Sequence, residues 1–421
     1  MTNAHTAEAV SALVYRSRSR IFLSSEQLIA LEKNARVRNE SMSITGMLLF
    51  DGTYFFQYLE GPEEAVQTLF LRILEDSRHH HIIKLLDDYA PARKFPHWGM
   101  QLLKVQSQSD ETAEAMITRL VRDADLPAVD RAFKLMVAFA SGRWLDHATE
   151  AYDQAEWTFE LRPTPFAQAG PEIYSSKFCQ FALQPIVDTS TGLISSLEAL
   201  VRSPSGGTPQ ELFNTLRPDH LHIYDLKTKR HAFELAAAIG VGHTNLSINL
   251  LPASLTNNEY SVDWLVEQIK EQGLKPQQLI IEITEEEAIS HFNDFYAALK
   301  KLRSAGISVA IDDFGAGYAG LAMLAKFQPE KLKIDRQIVT NIHTDGPRQA
   351  IVKAIVECCS SLGISIVAEG VESFNEWSWL RAAGVNLFQG FFFAKPKLNG
   401  VDAVNWPVPS NSAAASANPQ P

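Results

Sequence analysis

From residue 177 to residue 400, short apolar runs alternate with helical segments. The runs are "FALQPIV", "ISSLEALV", "LSINLL", "LIIEIT", "ISVAIDD", "LKID", "ISIVAEG" and "LFQGFFF". Between them, "VDWLVEQIKEQG", "FNDFYAALKKLRSAG" and "PRQAIVKAIVECCSSLG" each close on Gly, the residue that tolerates a left-handed helix end. Eight strands in such alternation exceed what one ordinary open sheet needs. They predict a parallel (β/α)8 barrel of the TIM type, an α/β architecture.

Polar residues recur at the carboxyl ends of these runs: Glu198, Asn249, Glu282, Asp312, Asp313, Lys333, Glu369 and Gln389. In a (β/α)8 barrel those ends gather on one face, where function sits. A single acid ending a strand is usually a helix cap or a solvated group. Several together bring at least four carboxylates into one small area, which repel one another unless cations lie among them. The donors are hard oxygens with no Cys or His, so they imply Mg²⁺ or Mn²⁺ and not zinc. The adjacent pair Asp312-Asp313 allows one carboxylate to bridge two metals about 3.5–4 Å apart, the geometry of two-metal phosphate hydrolysis.

Those residues lie in "EALVR", "NLSINL", "IIEITE", "DDFGAGYAGL", "LKID", "AEGVE" and "QGFFFAKP". Taken in order over about residues 177–398, they resemble the motif set of the EAL-domain cyclic di-GMP phosphodiesterases. The resemblance implies metal ligation by Glu198, Asn249, Glu282 and Asp312, with Asp313 and Glu369 serving a second ion. Lys333 would orient or activate the attacking water, making Lys333, Glu369 and Asp313 the catalytic set. Gln184, Leu200, Arg202, Asp335 and Gln389 would bind substrate, Arg202 through a phosphate. Glu285 would anchor the loop "DFGAGYAGL". Cyclic di-GMP is then the substrate, with two divalent cations as cofactors.

Residues 10–105 follow another pattern. "SALVYRS" is a strand, and Ser24 with Gln27 has capping-box spacing for the helix that follows. "ITGMLLFDGTYFFQYLE" is a hairpin turning on Asp51-Gly52. A helix then places Val66, Leu69, Phe70 and Ile73 on one face, and further strands follow at "HIIKLLDDY" and "HWGMQLLKV". The order βαββαβ with one added strand predicts a ferredoxin-like α+β domain. The oddity is Gln57 inside the aromatic strand, because an unsatisfied buried amide costs about 1–3 kcal/mol.

Tyr15 in "LVYRS", Asn39 ahead of "ITG", Gln57 in "FFQYLEG", and Trp98 and Met100 in "HWGM" together resemble a BLUF blue-light receptor domain. This implies a non-covalent flavin, FAD or FMN, between two helices and the sheet. Asn39 would hold the ring edge and Arg93 the ribityl or phosphate side. Gln57 would bridge the Tyr15 hydroxyl and the flavin, switching hydrogen-bond partners on illumination, with Trp98 and Met100 as relays. The family commonly has Gly where this chain has Ser43, so a positive φ there would be strained. His79, His80 and His81 alternate faces on an ideal strand, which argues against a shared metal.

The resulting organisation is a sensor over 1–105, a helical connector over 106–170, a barrel over 171–405 and a disordered tail over 406–421. In the connector, Val129, Ala132, Phe133, Met136 and Val137 form an apolar face that must pack on the sensor, the barrel or the same helix of a second subunit in a homodimer. The net charge of −11 argues against nucleic acid as a partner. Three Cys with no framework spacing, no signal-like start and no long apolar run point to a cytoplasmic chain away from membranes. Three functions follow: a light-regulated phosphodiesterase, a non-catalytic cyclic di-GMP receptor acting through partner proteins, and, ranked last, a flavin redox enzyme.

Overall fold

A computed structural model describes residues 10–90, 93–105, 131–140, 151–170 and 178–410, apart from 215, 218–219, 257, 291, 317–320, 322 and 325–327. The chain divides into two compact units, Met1–Thr149 with His343–Ala350, and Glu150–Ile342 with Ile351–Pro421.

The first unit runs β1 (Val10–Ser19), α1 (Ser25–Ser41), β2 (Thr45–Phe50), β3 (Tyr54–Gly61), α2 (Glu63–Leu74), β4 (His79–Ala90), β5 (Gln101–Lys104) and α3 (Arg131–Ala140). Its five strands lie in the order β4-β1-β3-β2-β5, the ferredoxin-like order extended by β5 alongside β2. The Ser24–Gln27 capping box forms as its spacing predicts, and Gly52 takes a positive φ at the hairpin tip. Ser43 also has positive φ, +54°, and its carbonyl accepts from Arg93 Nη2 at 2.5 Å. Every residue of β3 after Tyr54 is buried, because both faces of the sheet are covered. On one face Phe55 and Leu59 pack with Leu28, Ala35, Val66, Leu69, Phe70 and Ile73 of α1 and α2.

On the other face, Phe56 and Tyr58 pack with Ala132, Met136 and Phe139 of α3. The apolar helical face therefore finds its partner on the sensor sheet, each large side chain contributing about 1.5–3 kcal/mol by burial. Val129 and the segment "AMITRLV" lie outside the described residues.

The second unit holds a closed barrel of eight strands: β7 (Gln180–Asp188), β8 (Leu193–Arg202), β9 (Asn245–Asn249), β10 (Leu279–Thr284), β11 (Ser308–Phe314), β12 (Lys331–Ile334), β13 (Ser365–Ala368) and β14 (Leu387–Phe388). Strands β8 to β14 are parallel in sequence order, while β7 runs antiparallel to both β8 and β14. The expected TIM-type barrel is present with this one strand reversed, for a local reason. The tight turn after Asp188, closed by its side chain on Ser190 N and by Gly192 at φ +70°, returns the chain antiparallel, whereas a parallel return needs a long crossover. Outward residues such as Ile281, Ile283, Val309, Ile311, Leu332 and Ile334 pack beneath the surrounding helices. Their neighbours in the alternation, including Glu282, Asp312 and Lys333, face the barrel axis.

Two boundaries differ from the sequence reading. Residues placed in the connector form β6 (Trp157–Arg162), which pairs antiparallel with the strand Val404–Pro409, called β16 because the short β15 (Lys397–Leu398) precedes it. Trp157 packs edge-on against Trp377 at 4.9 Å, Phe159 packs against Phe392 at 5.2 Å, and Trp406 is buried. The partnership spans more than two hundred residues, so the turn residues of "LRPTPFAQAGPE" read as a linker and the polar end read as a tail from 406. The tail proper, from residue 411, lies outside the described residues.

Candidate functional sites

At the barrel mouth, Lys333 Nζ lies 2.7 Å from Glu282, 2.6 Å from Glu369, 3.2 Å from Asp312 and 3.4 Å from Glu198. Lys333 and Glu282 are each only about 1% exposed at the side chain. Glu198 also accepts from Asn249 Nδ2 at 2.7 Å and from Gln389 Nε2 at 2.6 Å. Gln389 in turn donates to Gln184 Oε1 at 3.1 Å, Gln184 being the register partner of Glu198 across the reversed strand. Glu285 accepts from Gly315 N at 3.0 Å, at the start of the loop it was expected to hold. Asp335 caps the next helix by accepting from Gln337 N at 2.8 Å.

The cavity above these groups holds about 270 Å³ and is lined by Gln184, Glu198, Asp312, Asp313, Lys333, Asp335, Glu369 and Gln389 among the expected residues. Arg336, Glu372 and Phe391 line it as well, and sequence reasoning missed them. Each stood inside or beside a quoted motif, but nothing local marked it as facing the cavity. Arg202 donates to the Val201 carbonyl at 2.9 Å, and Leu200 stands opposite Ala182. Both lie on β8, outside the cavity lining.

One ammonium does not balance this many carboxylates. Burial, with the charges of Glu198 and Asp312, pushes Glu282 up to about 8 despite Lys333. Burial and neighbouring Asp312 and Asp335 push Asp313 up to about 6, and burial also raises Glu369 well above the carboxylate range. Burial opposes ionisation of Glu198 too, yet Lys333 and hydrogen bonds from Gln389 and Asn249 hold it low. Lys333 is itself disfavoured by burial but held protonated by its four carboxylates. Oxygens of Glu198, Glu282 and Asp312 lie within 4.8 Å of one another, as do those of Asp312, Asp313 and Glu369. The two triplets share Asp312. With the Gln389 carbonyl oxygen buried and lacking a partner among the described residues, this hard, negatively charged donor set fits divalent cations.

In the first unit, a cavity of about 340 Å³ lies against the helix-covered face of the sheet, in the size range of a small-ligand site. Its lining combines apolar side chains of Ile21, Leu23, Leu31, Leu48, Phe55 and Ile73 with the polar groups of Tyr15, Gln57, Arg38, Asp76, Arg78 and His79. The Tyr15 hydroxyl donates to Gln57 Oε1, and Gln57 Nε2 points to Met100 Sδ at 3.4 Å. Burial, reinforced by Asp76, raises the Tyr15 hydroxyl far above its usual range, so it stays a donor. Asn39 is fully buried, donating to the Gly99 carbonyl at 3.1 Å while its Oδ1 has no partner among the described residues. An apolar slot that includes the Tyr15–Gln57 donor–acceptor pair fits a planar heterocycle such as a flavin.

The structure separates the expected relay pair. Met100 reaches Gln57 on the cavity side, while Trp98 stacks on Phe95 at 4.8 Å in the α3-side core. Arg93 is engaged with Ser43, Thr45 and Glu60, outside the cavity lining, whose cations are Arg38 and Arg78. The alternation argued for the histidines breaks at His81, which has φ +48° and brings its ring 4.4 Å from that of His80. His79 instead shares a 2.8 Å hydrogen bond with Ser17 and lines the cavity.

A closed barrel with an acidic mouth, and in the other unit a cofactor-sized slot, define a two-domain protein with one site suited to divalent cations and one to a small ligand. The sequence model of the EAL domain matches residues 172–396, and that of the sensors of blue-light using FAD (BLUF) matches residues 10–101. The chain belongs to the EAL-domain family and carries a BLUF domain ahead of the barrel. It is 39% identical to the blue light- and temperature-regulated antirepressor BluF of Escherichia coli, over 94% of this chain and 99% of that one. It resembles the manganese and cyclic di-GMP complex of Klebsiella pneumoniae BlrP1 at 42% identity and TM-score 0.87, covering 95% of this chain and all of that one. BlrP1 has also been solved with FMN and cyclic di-GMP, a structure related at TM-score 0.82 and 38% identity over the same shares of the two chains. The cyclic di-GMP phosphodiesterase NbdA of Pseudomonas aeruginosa is 30% identical over 51% of this chain and 28% of its own length. Among the described residues, no helix is long and apolar enough to cross a membrane.

Proposed function

We propose that this chain hydrolyses cyclic di-GMP to linear pGpG with divalent cations, under the control of a flavin photosensor. The observation that carries the reading is the pair of carboxylate triplets sharing Asp312 at the barrel mouth. Glu198, Asn249, Glu282 and Asp312 would hold one cation, and Asp313 and Glu369, with Asp312 shared, the other. Bound there, the cations supply Lewis-acid polarisation of the scissile phosphate. Lys333, fixed by four carboxylates, presents its ammonium protons where negative charge develops and orients the attacking water. Gln389 donates to Glu198, which leaves its carbonyl oxygen to accept from substrate or water. Gln184 steadies Gln389 from behind. Asp335 holds the following helix, and with it Arg336, at the cavity rim. Arg202, four residues beyond Glu198 and close to Leu200, is the candidate for clamping a phosphate bidentately.

In the sensor, Tyr15 and Gln57 would meet the reactive edge of FAD or FMN, with Asn39 holding the ring. The bound flavin supplies light absorption and electron acceptance. Tyr15 donates a hydrogen bond to Gln57, whose amide has unlike ends and so offers two discrete hydrogen-bond patterns. Arg38 and Arg78 provide positive charge along the slot for a phosphate-bearing tail. A homodimer is the assembly we assign, and the sensor is taken to include α3 because that helix completes its core.

The deciding experiment is hydrolysis of cyclic di-GMP by the purified chain with Mg²⁺ or Mn²⁺, in darkness and under blue light, with pGpG as the measured product. A second reading, a receptor acting through a partner protein, draws support from the similarity to BluF, an antirepressor. Cyclic di-GMP binding without any pGpG under either illumination would select that reading.

A further inference from the structure

We propose that Asp225, buried on the helix α4 (Leu221–Ile239), is the positioning residue for the strand end that carries Asn249, and that it thereby sets the cation affinity of the barrel mouth. The inference rests on the metal-dependent reading above. Asp225 is 3% exposed and divides its two oxygens between two tasks. Oδ1 takes the ammonium of Lys229, one turn along the same helix, at 2.6 Å. Oδ2 leaves the helix and accepts from Leu251 N at 3.0 Å and Ser254 Oγ at 2.7 Å.

A buried ion pair is a poor source of stability. Replacing such pairs with apolar side chains is often neutral or stabilising. The pair inside α4 therefore calls for another reason, and the second oxygen supplies it. Leu251 lies two residues after Asn249, and Ser254 lies in the short helix α5 (Pro252–Thr256) that follows. Between Asn249 and Leu251, Leu250 N donates to the Glu282 carbonyl at 3.0 Å. The span just beyond Asn249 is thus fastened on one side to the backbone of Glu282 and on the other to the Asp225 carboxylate. Asn249 itself directs its amide to Glu198 at 2.7 Å. Lys229 holds Oδ1 and so fixes the carboxylate in direction, which leaves Oδ2 aimed at the β9–α5 junction. A ligand set needs its members held to within about 0.5 Å, and a strand end released from this clamp loses that constraint.

The test is a Mn²⁺ titration of the full-length protein, reading free Mn²⁺ by electron paramagnetic resonance, for wild type, Asp225→Asn and Ser254→Ala. Outer groups that fix metal ligands typically change affinity by about 10-fold or more, so Asp225→Asn should weaken Mn²⁺ binding about 10-fold. Ser254→Ala removes one donor and no charge, and should produce a smaller loss in the same direction. At saturating Mn²⁺ both variants should keep the wild-type KM for cyclic di-GMP, and both should keep the flavin photoshift. If folded variants bind Mn²⁺ as tightly as wild type and lose only thermal stability, Asp225 merely stabilises α4 and the proposal is overturned. Should Asp225→Asn fail to fold, Ser254→Ala decides alone. A wild-type chain that takes up no Mn²⁺ overturns the metal reading and this proposal with it, a result distinct from binding that the variants leave unchanged.

Discussion

Gln389 Nε2 lies 2.6 Å from Glu198 Oε2, and this hydrogen bond orients the Gln389 amide with its carbonyl oxygen unpartnered among the described residues. Lys333, with this bond and the one from Asn249, holds Glu198 ionised at the centre of an acidic cluster, while burial pushes Glu282 and Glu369 beside it toward protonation. The mouth is built to gain stability when positive charge enters it.

Glu282→Ala and Asp312→Ala should therefore abolish turnover while leaving the barrel fold and the flavin in place. A metal contributes several kcal/mol of transition-state stabilisation, so the expected loss is about 1,000-fold or more. Steady-state hydrolysis with Mn²⁺ measures it. Near-normal turnover in Asp312→Ala would end the shared-ligand assignment, since Asp312 belongs to both triplets.

Arg202 and Arg336 separate two routes of substrate recognition. A guanidinium bound to a phosphate contributes about 1.5–3 kcal/mol, so loss of the true contact should raise KM by about 10-fold or more. Arg202→Ala shows this effect if Arg202 turns toward the substrate. Arg336→Ala shows it if the cavity wall seen here makes the contact. Kinetics of both variants assign the role, and unchanged KM in Arg202→Ala leaves that residue to its bond with the Val201 carbonyl.

The photoswitch is expected to need an amide at position 57. Gln57→Leu should keep a yellow, flavin-loaded protein that no longer shifts its absorption to the red under blue light. Leucine fills similar space but neither accepts from Tyr15 nor donates toward Met100. Absorption spectra before and after illumination read this directly, and a normal photoshift in the variant removes Gln57 from the switch.

Strand β3 presents Gln57 to the cavity and, on its other face, Phe56 and Tyr58 to the α3 cluster. Packed elements of this kind move between discrete arrangements. Replacing Phe133 and Met136 with Ala should shrink the light–dark activity ratio while sparing the photoshift and basal hydrolysis. Met136 is 1% exposed, so its truncation should also cost about 2–5 kcal/mol of sensor stability, read by denaturant unfolding. A ratio that survives in the folded variant sends the signal by another path.

Metal-free barrel stability should fall as pH rises. Folded Asp313 and Glu282 hold protons more tightly than they do in the unfolded chain, so the folded state binds more protons. Their contribution is fully present below about pH 4 and is lost as pH rises through about 6 for Asp313 and about 8 for Glu282. Thermal unfolding of chelator-treated protein should show this decline, with Asp313→Asn removing the part near 6. Mn²⁺ should restore more stability at the alkaline end, where fewer protons compete for the ligands. A transition temperature that climbs across the window would contradict these shifts.

Much of the architecture was legible because it is local. The Ser24–Gln27 cap, the Asp51-Gly52 turn and the polar ends of the barrel strands are set by residues within a few positions of one another. Strand alternation then requires Glu282, Asp312 and Lys333 to share the barrel axis once Ile281, Ile283, Ile311 and Leu332 face the helices. The sensor cavity was less legible. Arg38 comes to it from α1 and Asp76, Arg78 and His79 from the α2–β4 turn and the start of β4, which no shared spacing links, and Arg93, placed there by family likeness, bonds elsewhere.

By itself, then, the amino-acid sequence determined the elements, the periodicities and the kinds of donor at each strand end, because these depend on short-range sterics and on which residues can leave water. Only the tertiary structure decided that β7 runs backward, that α3 covers the sensor sheet, that β6 pairs with β16, and that Trp98 and Met100 take opposite sides. Each of those outcomes joins surfaces distant in the chain. An apolar face gains nearly the same free energy from any dry partner, so shape and register choose among them, and neither is written in a local window.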